Sequence, residues 1–118
     1  QHFGFEVGFE ASWFVWLSRS TSESGTVALA FMHPDHPSRP PGPEAFNNQG
    51  LLLTLQVDDA RAEEKRLRDA GVAITYTVQH EPWGQVRFQV QAPSGLVLDI
   101  VEQAEPAAGF WDAYMQAA

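Results

Sequence analysis

The chain has no cysteine, which removes a disulfide scaffold and a cysteine nucleophile without fixing the redox compartment. Basic residues are scarce as well. Seven Lys plus Arg against 15 Asp plus Glu leave a formal net charge of −8, so the surface offers little counter-charge to a nucleic-acid backbone or an anionic membrane, and neither is an expected partner. No apolar run approaches the roughly 18–20 residues needed to span a bilayer. No basic stretch followed by an apolar core opens the chain as a secretory leader would, and cytoplasm is the expected compartment. There is no Gly-Xaa-Ser-Xaa-Gly elbow and no phosphate-binding glycine loop. What is present is 118 residues, 44% of them hydrophobic, enough for one domain that buries roughly two-thirds of its unfolded surface.

Periodicity along the chain reads strand, strand, strand, loop, strand, helix, strand, strand, strand, helix. Phe5–Glu10, Trp13–Leu17 and Thr26–Met32 are apolar or alternating runs, with turn residues in Ser18–Gly25, and predict an antiparallel meander. The chain opens at Gln1 without Met, and Phe3-Gly4-Phe5-Glu6-Val7 reads as one element running straight into a strand; something upstream is expected to be missing. From His33 to Gly50 there are five Pro, two Asn and two Gly, which no regular element tolerates, so a long connecting loop is expected. Leu51–Val57 follows as a strand. Asp58 or Asp59 is the N-cap of a helix over Ala60–Ala70 with Gly71 as its C-cap glycine, and its thin apolar stripe (Ala60, Leu67, Ala70) predicts a helix lying on a sheet. Val72–Val78 is a strand. After Pro106, residues Ala107, Phe110, Trp111, Tyr114 and Met115 recur at helical spacing and predict an amphipathic helix.

Residues 82–102 carry the most information. Gln85–Gln91 alternates polar and apolar, Pro93-Ser94-Gly95 supplies a turn, and Leu96–Val101 is an apolar strand interrupted by Asp99. A carboxylate inside such a strand is costly to bury unless hydrogen-bonded, paired or on a metal. Period-two alternation sends Leu51, Leu53, Leu55, Val57, Leu96, Leu98 and Ile100 toward the helix, and Leu52, Thr54, Gln56, Val97, Asp99 and Val101 to the opposite face. That face is apolar with a few polar points, as in a small-molecule pocket. Thr54, Gln56 and Asp99 bonding one another in a closed core is the alternative.

The strand Leu51–Val57, Asp58-Asp59, the helix, and three strands ending in Pro93-Ser94-Gly95-Leu96-Val97-Leu98-Asp99 resemble a βαβββ module of the vicinal oxygen chelate superfamily, the glyoxalase, bleomycin-resistance and dioxygenase group. Glu81-Pro82-Trp83-Gly84-Gln85 and Pro93–Glu102 are its most specific parts. The first half resembles the same module with its front removed, so that the first strand and most of the first helix are absent from this sequence. The resemblance implies an α+β fold of paired βαβββ modules, the first N-terminally incomplete, with a curved antiparallel or mixed sheet around a cleft. In these terms 1–32 is the remnant of the first module, 33–50 a loop, 51–102 the second module and 105–117 the C-terminal helix, all in a single domain. In metal-dependent members the ligands stand on the first, fourth, fifth and eighth strands. Here the eighth-strand acid matches Asp99, the fifth-strand position is Leu52, and the fourth falls near Ala28 or Ala30. Leu and Ala cannot ligate, so no metal or other cofactor is expected. Relatives often carry Arg two residues after the Gly of Pro-Trp-Gly, where this chain has Val86, with Arg87 next to it.

The expected function is that of a metal-free small-molecule binding protein of the bleomycin-resistance type. It would hold a hydrophobic or aromatic ligand through Trp13, Trp16, Leu52, Thr54, Gln56, Trp83 and Asp99, without turnover. An unpaired Asp99 favours a neutral or cationic ligand. The tryptophans as core residues are the plainer reading. Two other functions stay open: a metal-dependent glyoxalase-like lyase, isomerase or ring-cleaving dioxygenase, and a non-catalytic module with a closed cleft. His33-Pro34-Asp35-His36-Pro37 clusters metal-ligand types, but its prolines hold it extended and it reads as a solvated loop. His80 with Glu81 is a weak acid–base pair. A homodimer is expected, because the amphipathic C-terminal helix leaves an apolar face and relatives commonly pair modules about a two-fold axis.

Overall fold

The computed structural model describes residues 2–21, 25–33, 47 and 49–115. They fall into two compact units, residues 1–47 and 48–118. Most of the proline-rich segment, Asp35 and His36 included, lies outside the described residues.

The first unit is a three-stranded antiparallel sheet in the order β1 (Glu6–Glu10), β2 (Phe14–Thr21), β3 (Gly25–Met32). The meander read from the sequence is present. Strand β2 runs four residues past the expected end at Leu17, because Ser18, Arg19 and Ser20 pair with Ala28, Val27 and Thr26. Their polar side chains do not interrupt a ladder made by backbone groups. The β1–β2 register slips between Val7 and Phe9, a bulge at Gly8, and Phe9 then stands opposite Trp16.

The second unit is a mixed sheet in the order β4–β7–β6–β5, where β4 is Leu52–Gln56, β5 Ile74–Glu81, β6 Gln85–Gln91 and β7 Val97–Gln103. Strand β4 runs parallel to β7, and the other neighbours are antiparallel. Helix α1 (Ala60–Asp69) connects β4 to β5. Asp59 decides its start, accepting from the Ala62 N–H at 3.0 Å, and Glu102 accepts from the Ala60 N–H at 3.0 Å, so two orphan donors of the first turn are satisfied. At the other end Val72 donates to the Leu67 carbonyl and Gly71 to that of Arg68, a Schellman close that places Gly71 at φ 86°.

The core of this unit lies between α1 and one face of the sheet: Ala60, Leu67, Val86, Phe88, Val90 and Ile100 are all buried there. Register explains the set. Phe88 faces Ile100 and Val90 faces Leu98 across β6–β7, and Leu98 and Ile100 face Leu53 and Leu55 across β7–β4. Ala70, expected in the helix stripe, is exposed at the cap, and Glu64 takes a buried place instead. Its carboxylate accepts from the Val78 N–H at 2.7 Å and pairs with Arg68 at 3.4 Å. That N–H lies where the β5–β6 register slips between Tyr76 and Gln79, so the helix supplies the acceptor the bulge takes from the ladder.

The helix read over 105–117 is corrected to one 3-10 turn, Phe110–Ala113, among the described residues. Helical spacing of the aromatics was a true signal of clustering, but the backbone before them is committed elsewhere. The Ala104 N–H donates to the Gly84 carbonyl and the Ala107 N–H to that of Pro82, both at 2.8 Å, and Gly109 at φ 77° breaks the helical path. Gly109 in the left-handed region cannot continue a right-handed helix, so among the described residues of this segment the regular turn begins only after it.

Candidate functional site

The sheet face opposite α1 in the second unit carries a polar cluster centred on Arg87. Strand β6 alternates, so Val86, Phe88 and Val90 go to the helix while Gln85, Arg87 and Gln89 go to this second face. On β7 the same rule brings Val97, Asp99 and Val101 to it, and on β4 Leu52, Thr54 and Gln56, opposite Val97, Asp99 and Val101 in turn. The division of strands 51–57 and 96–101 between two faces is as the alternation predicts. Strand β5 departs from simple alternation. Gln79 and Glu81 reach the face of Arg87 by regular alternation back from the turn, and the register slip between Tyr76 and Gln79 brings Tyr76 to the same face.

Arg87 is half-buried, and its guanidinium bridges carboxylates from the two strands beside it. Its Nε donates to Glu81 Oε2 at 2.9 Å, and its Nη1 to Asp99 Oδ1 at 3.3 Å. Glu81 stands opposite Gln85 and Asp99 opposite Gln89, so the Arg reaches one diagonal neighbour at each end. Gln89 Nε2 also donates to Asp99 Oδ1, at 3.1 Å, and Tyr76 Oη to Glu81 at 3.3 Å. The guanidinium carbon lies 5.1 Å from the Tyr76 ring centroid and 5.0 Å from that of Trp83. Burial works against the charge on Arg87, yet the hydrogen bond to Glu81 and the attraction of Asp99 and Glu81 outweigh it and hold its pKa above the usual guanidinium value.

Asp99 is therefore not the unpaired carboxylate that the sequence suggested. It is 5% exposed and shares its Oδ1 between Arg87 and Gln89, while its Oδ2 has no hydrogen-bond partner among the described residues. Thr54 lies opposite it without bonding to it, and Gln56 accepts from Gln103 Nε2 at 3.3 Å.

Trp83 sits in the β5–β6 turn, half-buried, with its indole N–H on Gln85 Oε1 at 2.9 Å. The C-terminal segment holds it from behind: the Trp111 indole N–H donates to the Trp83 carbonyl at 2.9 Å, and the Phe110 ring is 6.4 Å away. Trp13 and Trp16 belong to the first unit. Their rings both approach Phe14, at 5.6 and 6.4 Å, and Trp16 is exposed. His80 faces Val86 and Glu81 faces Gln85, so alternation parts the suggested acid–base pair. Arg87, Glu81, Gln89 and Tyr76 are the residues that sequence reasoning did not assemble. The alternation of Gln85–Gln91 already placed Arg87 beside Gln89 on Asp99's face, but the bulge that brings Tyr76 there leaves no mark in the sequence.

Leu52 of β4, and Ala28 and Ala30 of β3, the positions that the resemblance pairs with metal ligands, carry no donor atom, and Asp99 Oδ1 already accepts from two N–H groups. Among the described residues no three His, Asp or Glu side chains converge. Nor is any helix among them long and apolar enough to cross a membrane.

A sheet in the order β4–β7–β6–β5 with one crossover helix on one face is a βαβββ module of the glyoxalase type. The family model of the Glyoxalase/Bleomycin resistance protein/Dioxygenase superfamily matches residues 1–100, and the chain belongs to that superfamily. No curated protein matches it. Among solved structures, a glyoxalase/bleomycin resistance protein/dioxygenase from Nocardioides is similar at TM-score 0.65 and 16% identity, over 86% of this chain and 69% of that one. Lactoylglutathione lyase from Agrobacterium tumefaciens is similar at TM-score 0.63 and 17% identity, over 86% and 78%. A bleomycin resistance determinant encoded on the transposon Tn5 is similar at TM-score 0.55 and 15% identity, over 86% and 81%. At these identities the likeness is one of fold.

Proposed function

We propose that the chain is a metal-free small-molecule binding member of its superfamily that holds a flat, largely apolar ligand without turning it over. The observation that carries this reading is Asp99: a carboxylate 5% exposed, engaged through Oδ1 only among the described residues, on the same face as Leu52, which has no ligating atom. A buried acceptor left open costs about 1–3 kcal/mol, which a ligand N–H or O–H at Oδ2 would recover. Leu52, Thr54 and Gln56 add apolar surface and polar points to the same face, and Trp83 an aromatic edge. Arg87, Glu81 and Asp99 together carry one net negative charge, so a neutral ligand with a hydrogen-bond donor is favoured and an anion is not. A bleomycin resistance determinant is among the solved structures of similar fold. A homodimer in the cytoplasm is the proposed setting.

The test is a screen of planar neutral, cationic and anionic compounds by tryptophan fluorescence quenching and calorimetry, with Asp99→Asn alongside. Binding of neutral donors, weakened by Asp99→Asn by about 1–3 kcal/mol, supports the reading. A second reading has its own observation: Arg87–Asp99, Gln89–Asp99 and Gln103–Gln56 satisfy much of this face internally. A screen without binders favours that closed module, and turnover restored by added metal favours the lyase or dioxygenase.

A further inference from the structure

We infer that Arg87 is the resident cation of this face: it is held there by pairing with both Glu81 and Asp99, and its positive charge keeps divalent metal ions from both carboxylates, the open Oδ2 of Asp99 included. The inference rests on the metal-free reading and names the group responsible for it. Both carboxylates are nearly buried, Glu81 at 9% and Asp99 at 5% exposed. Such groups are tenable only when paired. The guanidinium pairs both at once, with Nε on Glu81 and Nη1 on Asp99, at 2.9 and 3.3 Å. The Tyr76 and Trp83 ring centroids lie 5.1 and 5.0 Å from its guanidinium carbon and help to hold it in place. Three further elements fix those rings: Tyr76 bonds Glu81, Trp83 bonds Gln85, and Trp111 holds the Trp83 carbonyl. A guanidinium is charged at all accessible pH values and planar, so it can serve two acceptors from one fixed plane. A metal ion seeking Asp99 has to displace this cation and leave it buried without its partners.

Removing the cation should therefore uncover what it neutralises. In Arg87→Ala, Glu81 and Asp99 become two unpaired carboxylates on one face with the Gln89 amide and the Tyr76 hydroxyl beside them, an oxygen-rich set of the kind hard divalent ions take. The probe is Mn2+ alone, titrated by calorimetry into the full chain. The unaltered chain is expected to show no uptake, and Arg87→Ala an affinity at least about tenfold higher that is lost again in Arg87→Ala/Asp99→Asn. Arg87→Lys, which keeps the charge, is expected to restore exclusion. If Arg87→Ala does not fold, Arg87→Ala/Glu81→Gln/Asp99→Asn decides. Recovery of the fold with both carboxylates neutralised supports the counter-cation, and continued misfolding assigns Arg87 to packing and overturns it. A folded Arg87→Ala that takes up no more Mn2+ than the unaltered chain overturns it too. Stoichiometric Mn2+ on the unaltered chain through Asp99 sinks both this inference and the metal-free reading, whereas a failed ligand screen leaves this inference standing.

Discussion

Gly84→Ala is the substitution whose cost can be worked most directly from the geometry. Gly84 has φ 113°, and a Cβ built on it lies 2.8 Å from the Ala104 carbonyl oxygen and 3.2 Å from the Pro106 nitrogen. Both are backbone atoms, so no side chain can rotate aside. The backbone conformation alone costs a non-glycine residue about 1–2 kcal/mol. Relief of the clash moves the segment after β7 off the turn, and with it go the Ala104–Gly84 and Ala107–Pro82 hydrogen bonds, each about 1 kcal/mol. Alanine narrows the unfolded ensemble and returns about 0.4–1 kcal/mol. The net loss is about 3 kcal/mol, a fall in melting temperature of about 10 °C for a chain of this size. Gly71→Ala is the control, since Gly71 also has positive φ, 86°, but open space around it. It should lose only about 1 kcal/mol. Urea unfolding of both variants measures the difference, and a Gly84→Ala variant no less stable than Gly71→Ala would refute the close-approach argument.

Glu64→Ala removes the acceptor of the Val78 N–H at the β5 bulge and should cost about 1–3 kcal/mol in urea unfolding, with Glu64→Gln costing less because an acceptor remains. Phe88→Ala, at the fully buried centre of the second unit, should cost about 3–5 kcal/mol in the same assay. Because the Arg87 pKa is raised, its contribution to stability is complete below the unfolded guanidinium pKa and is lost only above it. The difference in stability between the unaltered chain and Arg87→Gln should therefore show no loss attributable to this group between about pH 7 and about pH 10. Elemental analysis of purified protein should find substoichiometric Zn, Fe, Mn and Ni, and a chelator should leave the melting temperature unchanged. Light scattering at tens of micromolar is expected to return twice the 13.1 kDa chain mass, and the chain mass itself would reject the dimer.

The sequence by itself determined the order of the sheet elements in the second unit. Strands β4, β6 and β7 divide between two faces by alternation, the helix carries Asp59 and Gly71 at its ends, and Pro93-Ser94-Gly95 ties the last two strands. Each of these is a local signal with a backbone cause, so each could be read without knowing the partners. The faces of β4 and β7 followed from the same alternation, and Asp99 was marked because an acid in an apolar strand is out of pattern. Strand ends were less legible: β2 and β5 continue through polar residues because a neighbouring strand supplies the ladder, and only tertiary pairing reveals the neighbour. The C-terminal segment kept its aromatic clustering but not its helix, since Gly109 takes a left-handed backbone and the segment before it is tied by hydrogen bonds to the β5–β6 turn. The partner of Asp99 also depended on tertiary structure. Arg87 could be placed on the right face, but the β5–β6 register that sets Glu81 beside it and the bulge that adds Tyr76 arise from pairing, not from the periodicity of one strand. That difference converts a lone carboxylate into a neutralised pair, and it decides the charge that any ligand of this face will meet.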